Sequence, residues 1–371
     1  MTASGKTIGI TGAGGALGRY LALHYQYRRQ MDVVGLDRKG FNDPAQLADM
    51  AARSDVLLHF AGVNRAPDAE LAEANPALAR QLVEALRRSG ARPHLVYATS
   101  THEDNDSVYG NSKRLAGDIL ESWAEEAGAV FTRLVLPHIY CELTRPNYNS
   151  GIATFCSKVA AGEPVSIMID AEIYPLHAAQ MCMVVDEAID GARSARVAPL
   201  GRPRAMSELL GDIERMHRLY RDELIVPDLR DIDQLHLFNS YRAHLYPHGF
   251  PVRPRLHSDD RGNLFESVRE LNGGQSFIST TRPGITRGNH FHFNKVERFC
   301  VLRGEAAIAM RPMGGGETVT FNVSGEAPCY IDMPTLWTHN ITNTGSSELL
   351  TMFWTHEIFN PEKPDTYFVV V

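Results

Sequence analysis

The chain has 371 residues, against a prior of ~150 residues per domain, so two domains are expected and a single small module is excluded. Apolar residues make up 44% and charged residues 22%, with 30 glycines and 20 prolines in no low-complexity tract, which excludes disorder and fibrous repeats. With 37 basic and 44 acidic residues the net charge is −7, which offers no general attraction to a phosphate polymer or an anionic membrane; no nucleic-acid partner is expected.

The N-terminal stretch Met1 to Lys6 has no basic region followed by a signal-length apolar run, and no uncharged apolar stretch of membrane-spanning length follows. Thr7 to Thr11 is a short apolar run ending in glycines, Ala16 to Arg29 reads as a helix, and Asp32 to Leu36 is a second apolar run. Val56 to Phe60 and His94 to Tyr97 read as buried strands separated by a helix from Leu71 to Arg88. Strands alternating with helices of this length predict an α/β doubly wound parallel sheet.

A helical region spans about Ser207 to Asp222, and from Gly249 the texture changes. Pro251, Pro254 and the turn-rich Ser258 to Asn263 lead into short strands, among them Ala306 to Met310, Thr318 to Val323 and Glu348 to Trp354, which predict an all-β jelly roll or small barrel. The expected division is therefore 1–245 and 246–371. The five cysteines, an odd number with no C-x-x-C pair, fit reduced thiols and a cytoplasmic setting.

Gly12, Gly15 and Gly18 follow the first strand and open the helix beginning at Ala16-Leu17. Glycine there lets the backbone approach a pyrophosphate, and the helix N-terminus offers unpaired N–H groups to the anion. At the end of the second strand Asp37 could accept from both ribose hydroxyls, which favours NAD, whereas Arg38 could pair with a 2′-phosphate, which favours NADP.

Tyr109 and Lys113 lie four apart on one helical face. A nearby ammonium is expected to lower the phenol's pKa, so that the tyrosine exchanges a proton with a carbonyl or carbinol oxygen. Thr99, Ser100 and Thr101 place hydroxyls just upstream, one of which could bond the same oxygen.

In the C-terminal third, His290 and His292 are i and i+2 on one strand, Glu297 follows, and His339 comes from the segment Pro334 to His339. Three imidazoles and a carboxylate suit one divalent borderline metal: zinc, nickel, iron or manganese. Lys295 lies among these ligands as a candidate proton carrier.

The glycine loop, His59-Phe60-Ala61-Gly62, the hydroxyl cluster and Tyr109/Lys113 resemble the extended short-chain dehydrogenase/reductase superfamily. That resemblance implies a Rossmann fold, cofactor contacts from Ala61, Gly62, Tyr109 and Lys113, and Ser100 as the catalytic hydroxyl. The histidine pattern resembles the cupin signature, with Leu336 where that signature carries Gly. Together with Ala61 to Arg65, Pro146 to Ser150, Ala153 to Cys156, Asp259-Asp260-Arg261-Gly262 and Pro364 to Phe368, the chain resembles the CapF family end to end.

The family resemblance implies a bifunctional enzyme whose cupin domain epimerises a UDP-linked 2-acetamido-2,6-dideoxy-4-keto-hexose beside the ketone. Its reductase domain then reduces that ketone with NADPH, NADH being the alternative donor, toward the UDP-N-acetyl-L-fucosamine precursor of capsule or O-antigen. It further implies zinc as the metal, a nucleotide-sugar substrate and a homodimer. Two departures stand out: His177-Ala178-Ala179-Gln180 replaces a Tyr-Val-Asp-Asp string, and Asp37 replaces a histidine beside the retained Arg38. A competing expectation is a simple nucleotide-sugar reductase whose cupin is a metal-stabilised binding or dimerisation module.

Overall fold

The structure is a computed structural model that describes residues 5–260, 262–271 and 273–371. Arg261 and the first four residues, named above, lie outside the described residues. By contacts the chain forms two compact units, one built from residues up to Ser150 together with Asp170–Met206, the other from Gly151–Ile169 and Ser207–Val371.

The first unit is built on a six-stranded parallel sheet of order β2-β1-β3-β4-β5-β9. Its strands are β1 Thr7–Thr11, β2 Asp32–Leu36, β3 Val56–His59, β4 His94–Ser100, β5 Phe131–Leu136 and β9 Ala195–Val197. The two-residue strands β6 Ile139–Tyr140 and β8 Leu176–His177 pair, as do β7 Glu172–Ile173 and β10 Arg204–Ala205. Helices α1 Ala16–Leu23, α2 Arg38–Phe41, α3 Pro44–Arg53, α4 Asp68–Ser89 and α5 Val108–Ala127 connect the strands. The apolar stripes of α3, α4 and α5, including Leu47, Leu82, Leu86, Leu120 and Trp123, bury against Leu57, Leu95 and Phe131 of the sheet. This Rossmann-like arrangement is the α/β class that the alternating pattern predicts.

Helix α1 is shorter than its sequence pattern suggests because a π-turn, His24–Arg28, takes over its last residues. There His24 Nε2 lies 2.9 Å from Asp186 on α7 (Ala178–Gly191), which ties the two helices together.

The second unit contains α6 Gly151–Ala160, α8 Met206–His217, α9 Ile232–Ala243 and the strands from residue 257 onward. After the small hairpin β11 His257–Asp259 and β12 Gly262–Leu264 come β13 Gln275–Thr281, β14 Thr286–Phe291, β15 Glu297–Arg303, β16 Glu305–Pro312 and β17 Val319–Ser324. They are followed by β18 Tyr330–Met333, β19 Trp337–Asn343, β20 Leu349–Thr355 and β21 Tyr367–Phe368. They form two antiparallel sheets of order β13-β20-β15-β18 and β17-β16-β19-β14-β21. Phe299 of the first sheet meets the His339 ring of the second and the Phe353 ring of its own, so the cupin-like core closes around these side chains.

The change of texture near residue 245 marks where helices give way to strands, whereas the contacts assign the helices from Ser207 onward to the C-terminal unit. Buried polar groups bond these helices to the strands: Tyr220 donates to Asp332, and Arg242 donates to the Met333 carbonyl. Composition shows where a pattern changes and carries no record of such long-range partners. No helix among the described residues is long and apolar enough to cross a membrane.

Candidate functional site

Gly12 has φ +75, and a Cβ there would stand 2.8 Å from the Ala61 backbone nitrogen. At Gly18 a Cβ would meet the Gly12 carbonyl oxygen at 2.2 Å. Glycine is therefore required at both positions, one for the left-handed turn and one for the close approach of helix to loop. Gly15 is the N-cap of α1 and no side chain caps it, leaving the first-turn N–H groups at Ala16 and Leu17 for an anion. Strand order reverses between β1 and β3, so the loop Phe60-Ala61-Gly62 faces Gly12 across the topological switch point. Thr11 Oγ1 lies 2.7 Å from His59 Nδ1 and accepts from the Ala61 N–H at 3.3 Å, fixing that loop. Burial, assisted by the Lys113 charge, pushes His59 down to about 3, so it is neutral here.

At the end of β2, Asp37 caps α2, accepting from the Gly40 N–H at 2.9 Å. Asp37 and Arg38 are both exposed at this edge, and Arg38 makes no ion pair among the described residues.

Ser107 caps α5, the helix that carries Tyr109 and Lys113. Gly110 lies so close to the His102 carbonyl that a Cβ would stand 1.9 Å from its oxygen, which presses α5 onto the turn after Ser100. Burial raises the Tyr109 phenol, and a hydrogen bond with Ser100 opposes that rise. Lys113 is brought down to about 7 by burial, with Glu103 opposing. Its ammonium donates to the Ala98 carbonyl at 2.7 Å and lies 4.6 Å from the centre of the Tyr97 ring. The expected lowering of Tyr109 by Lys113 is therefore corrected: the ammonium is turned toward β4, and burial dominates at the phenol. Tyr109, Ser100 and Lys113 nonetheless converge where β4 meets α5.

Sequence reasoning missed two supporting residues here. Asn75 donates to the Val63 carbonyl and accepts its N–H, both at 2.9 Å, and donates to Ser112 Oγ, which ties the Ala61-Gly62 loop to α5. Glu103, almost wholly buried, accepts from Thr99 Oγ1 at 2.7 Å and pairs with Arg196, which braces the hydroxyl turn. Their signal would have been polar residues on otherwise apolar faces. His177, which departs from the family string, caps α7 and lies 3.2 Å from the Glu142 carboxylate.

In the second unit His290, His292, Glu297 and His339 come together, with one ligand atom from each lying within 4.8 Å of the others. The Nε2 atoms of His292, His339 and His290 lie 3.0, 3.3 and 4.0 Å from Glu297 Oε2. A bulge at Gly288 and Asn289, both with positive φ, re-aims His290 onto this face.

The histidines are oriented from behind. His292 Nδ1–H donates to the Asp365 carbonyl at 2.6 Å and His339 Nδ1–H to the Trp337 carbonyl at 3.1 Å, which leaves both Nε2 lone pairs aimed at the cluster. His339 Nε2 is buried with no hydrogen-bond partner. Lone pairs converging on a carboxylate repel it unless a cation stands between them, so the donor set fits a divalent metal.

Asp365 is the principal residue missed in this unit. Its carboxylate accepts from the backbone N–H groups of Phe293, Asn294 and Lys295, gripping the loop between His292 and Glu297. Lys295, read as a proton carrier, is buried, and its ammonium donates to the Pro364 carbonyl at 2.6 Å, so its direct partners are in the C-terminal segment. Leu336 takes φ +60 in the turn where the signature has glycine, and its N–H donates to the His292 carbonyl at 2.8 Å. The turn is thus kept without glycine, its strain offset by burial of the leucine side chain.

Fold and sites define a two-part enzyme class in which a Rossmann-like dinucleotide domain is joined to a cupin-like β domain carrying a metal-type donor set. Residues 8–173 match the NAD dependent epimerase/dehydratase family and residues 257–367 the polysaccharide biosynthesis C-terminal domain. The chain is 31% identical over 362 residues to the UDP-2-acetamido-2,6-beta-L-arabino-hexul-4-ose reductase of Pseudomonas aeruginosa, covering 96% of this chain and 97% of that one. The crystal structure of the capsular polysaccharide assembling protein CapF of Staphylococcus aureus is similar over 98% of this chain and all of its own, with TM-score 0.62 and 27% identity. CapF with the inhibitor 3-isopropenyl-tropolone gives TM-score 0.59 and 26% identity, over 98% of this chain and 100% of that one. The chain belongs to the CapF-like family.

Proposed function

We propose that this protein converts a UDP-linked 2-acetamido-2,6-dideoxy-4-keto-hexose in two steps. The C-terminal part, residues 246–371, epimerises the carbon beside the ketone, and residues 1–245 reduce the ketone with NADPH, toward a UDP-N-acetyl-L-fucosamine precursor for capsule or O-antigen. The observation that carries this reading is the end-to-end similarity to a reductase whose name specifies a UDP-linked 4-ulose.

Loss of the proton beside a ketone leaves an electron pair that delocalises onto the carbonyl oxygen as an enolate, and return of a proton to the opposite face inverts that carbon. A divalent ion, zinc in this reading, held by His290, His292, Glu297 and His339 would supply positive charge for such an oxygen. Gly12, Gly15, Ala16, Leu17, Gly18, Asp37, Arg38, Ala61 and Gly62 would hold a dinucleotide whose reduced nicotinamide would supply the hydride. Tyr109 gives its hydroxyl proton to the sugar oxygen as that oxygen becomes an alcohol, and Ser100 orients both hydroxyls by hydrogen bonding. Lys113 adds positive charge beneath the site. Lys295 is the candidate proton carrier on the cupin side. The five cysteines are all free and buried, which suits a reducing cytoplasm, and a homodimer is the proposed assembly.

The test supplies full-length enzyme with the 4-keto sugar nucleotide in deuterated water without NADPH. Deuterium incorporated beside the ketone, followed by turnover once NADPH is added, is the expected result. NADPH oxidation with no incorporation would instead leave a simple reductase carrying a binding module.

A further inference from the structure

Helix α9 buries two polar side chains almost completely: Asn239 and Arg242 are each 1% exposed. An amide and a guanidinium withdrawn from water destabilise the fold unless they are hydrogen-bonded, so their partners indicate what the helix holds. Asn239 Nδ2 donates to the Asn294 carbonyl at 3.0 Å. Arg242 donates from Nη1 to Asn239 Oδ1 at 3.3 Å and from Nη2 to the Met333 carbonyl at 2.7 Å.

Both carbonyls flank the carboxylate of the histidine cluster. Asn294 lies in the loop that links His292 to Glu297, and Met333 is the residue opposite Glu297 in the β15–β18 ladder. One helical turn therefore holds the backbone on either side of Glu297. The rest of the loop is fixed elsewhere, its N–H groups by Asp365 and by His356 Nδ1, which accepts from Val296 at 3.1 Å, and the His292 carbonyl by the Leu336 N–H. The Asn294 carbonyl and the Met333 carbonyl of β18 are the points held from α9.

We propose that α9 is part of the metal-holding unit, with Asn239 and Arg242 as positioning residues for Glu297. The proposal rests on reading the four side chains as a metal centre. Neither residue touches the ligand atoms; each acts through a backbone carbonyl. A site of this kind must keep its ligands within about 0.5 Å of productive geometry, and removing supports behind the ligands weakens metal binding ~10–100-fold.

The test uses full-length protein freed of metal and titrated with Zn²⁺ against a competing chelator, and with Co²⁺ for its absorption bands. Asn239→Asp keeps the size of the side chain and removes the donor facing the Asn294 carbonyl. It should weaken Zn²⁺ binding about tenfold or more and alter the Co²⁺ spectrum, while NADPH affinity stays at the wild-type value. Arg242→Lys, which keeps one charged donor, should fall between wild type and Arg242→Met. A folded Asn239→Asp protein with wild-type Zn²⁺ affinity and Co²⁺ bands overturns the proposal. Wild-type protein that binds neither ion defeats the metal-centre reading instead. A measurement without variants covers the case in which these fail to fold: Zn²⁺ should slow hydrogen exchange in residues 236–243 of wild type, because coupling between helix and site is reciprocal. Unchanged exchange there would also overturn the proposal.

Discussion

The Lys113 ammonium reaches across from α5 to the Ala98 carbonyl of β4 at 2.7 Å, one residue before the Thr99 and Ser100 hydroxyls. This bond ties α5 to the strand that carries Ser100, so the charge at Lys113 and the placement of Ser100 are coupled. Because burial brings Lys113 down to about 7, its ammonium is fully present below that pH and is lost above it. The reductase rate should therefore fall as pH rises through about 7 to 8. In Lys113→Arg, a guanidinium keeps its charge and that limb should flatten at a lower overall rate. A rate profile flat from pH 6 to 9 in wild type would show that the charge is not needed.

Tyr109→Phe should lower ketone reduction ~100-fold or more while leaving NADPH binding near normal, because the ring still packs and only the proton donor is removed. Single-turnover NADPH oxidation alongside a cofactor titration measures both. Retained turnover would remove Tyr109 from the chemistry.

Arg38→Ala should weaken NADPH more than NADH, since only NADPH carries the phosphate that an exposed guanidinium can grip in a fork. Asp37 already spends a carboxylate oxygen on the Gly40 N–H, which reduces its capacity to accept from ribose. Dissociation constants for both cofactors, in wild type and variant, decide the matter; a wild-type preference for NADH would reverse the cofactor assignment.

Purified protein should carry about one divalent ion per chain, and His290→Ala should lose it, because three ligands hold a borderline metal far less well than four. That variant should still reduce a sugar already epimerised and fail on the unepimerised one. Elemental analysis with both sugars tests this, and a metal-free wild type active in both steps would end the metal assignment.

Leu336→Gly presents opposed effects. Relief of the positive φ should return roughly 1–2 kcal/mol, whereas losing a leucine side chain buried to 1% exposure should cost about 2–5 kcal/mol. The second wins, so the variant should be less stable by about 1–3 kcal/mol, measured by denaturant unfolding. A more stable variant would mean that the turn strain exceeds the packing.

The glycine loop, the Tyr109/Lys113 spacing and the close pairing of His290 with His292 were legible in the sequence because each depends on local geometry, whereas Glu297 and His339, on β15 and β19, were joined to them by the resemblance to the cupin signature. The α/β and all-β halves followed for the same reason, since hydrophobic period reports secondary structure directly. What tertiary structure alone decided are the partners across the chain. Lys113 turned toward Ala98 rather than lowering Tyr109, Asp365 gripping the loop after His292 from more than seventy residues away, and α9 joining the C-terminal unit through Asn239 and Arg242 all depend on which distant segments meet. A buried polar group takes whatever donor or acceptor the fold brings within about 3 Å, and nothing in the local pattern of residues records which one that is.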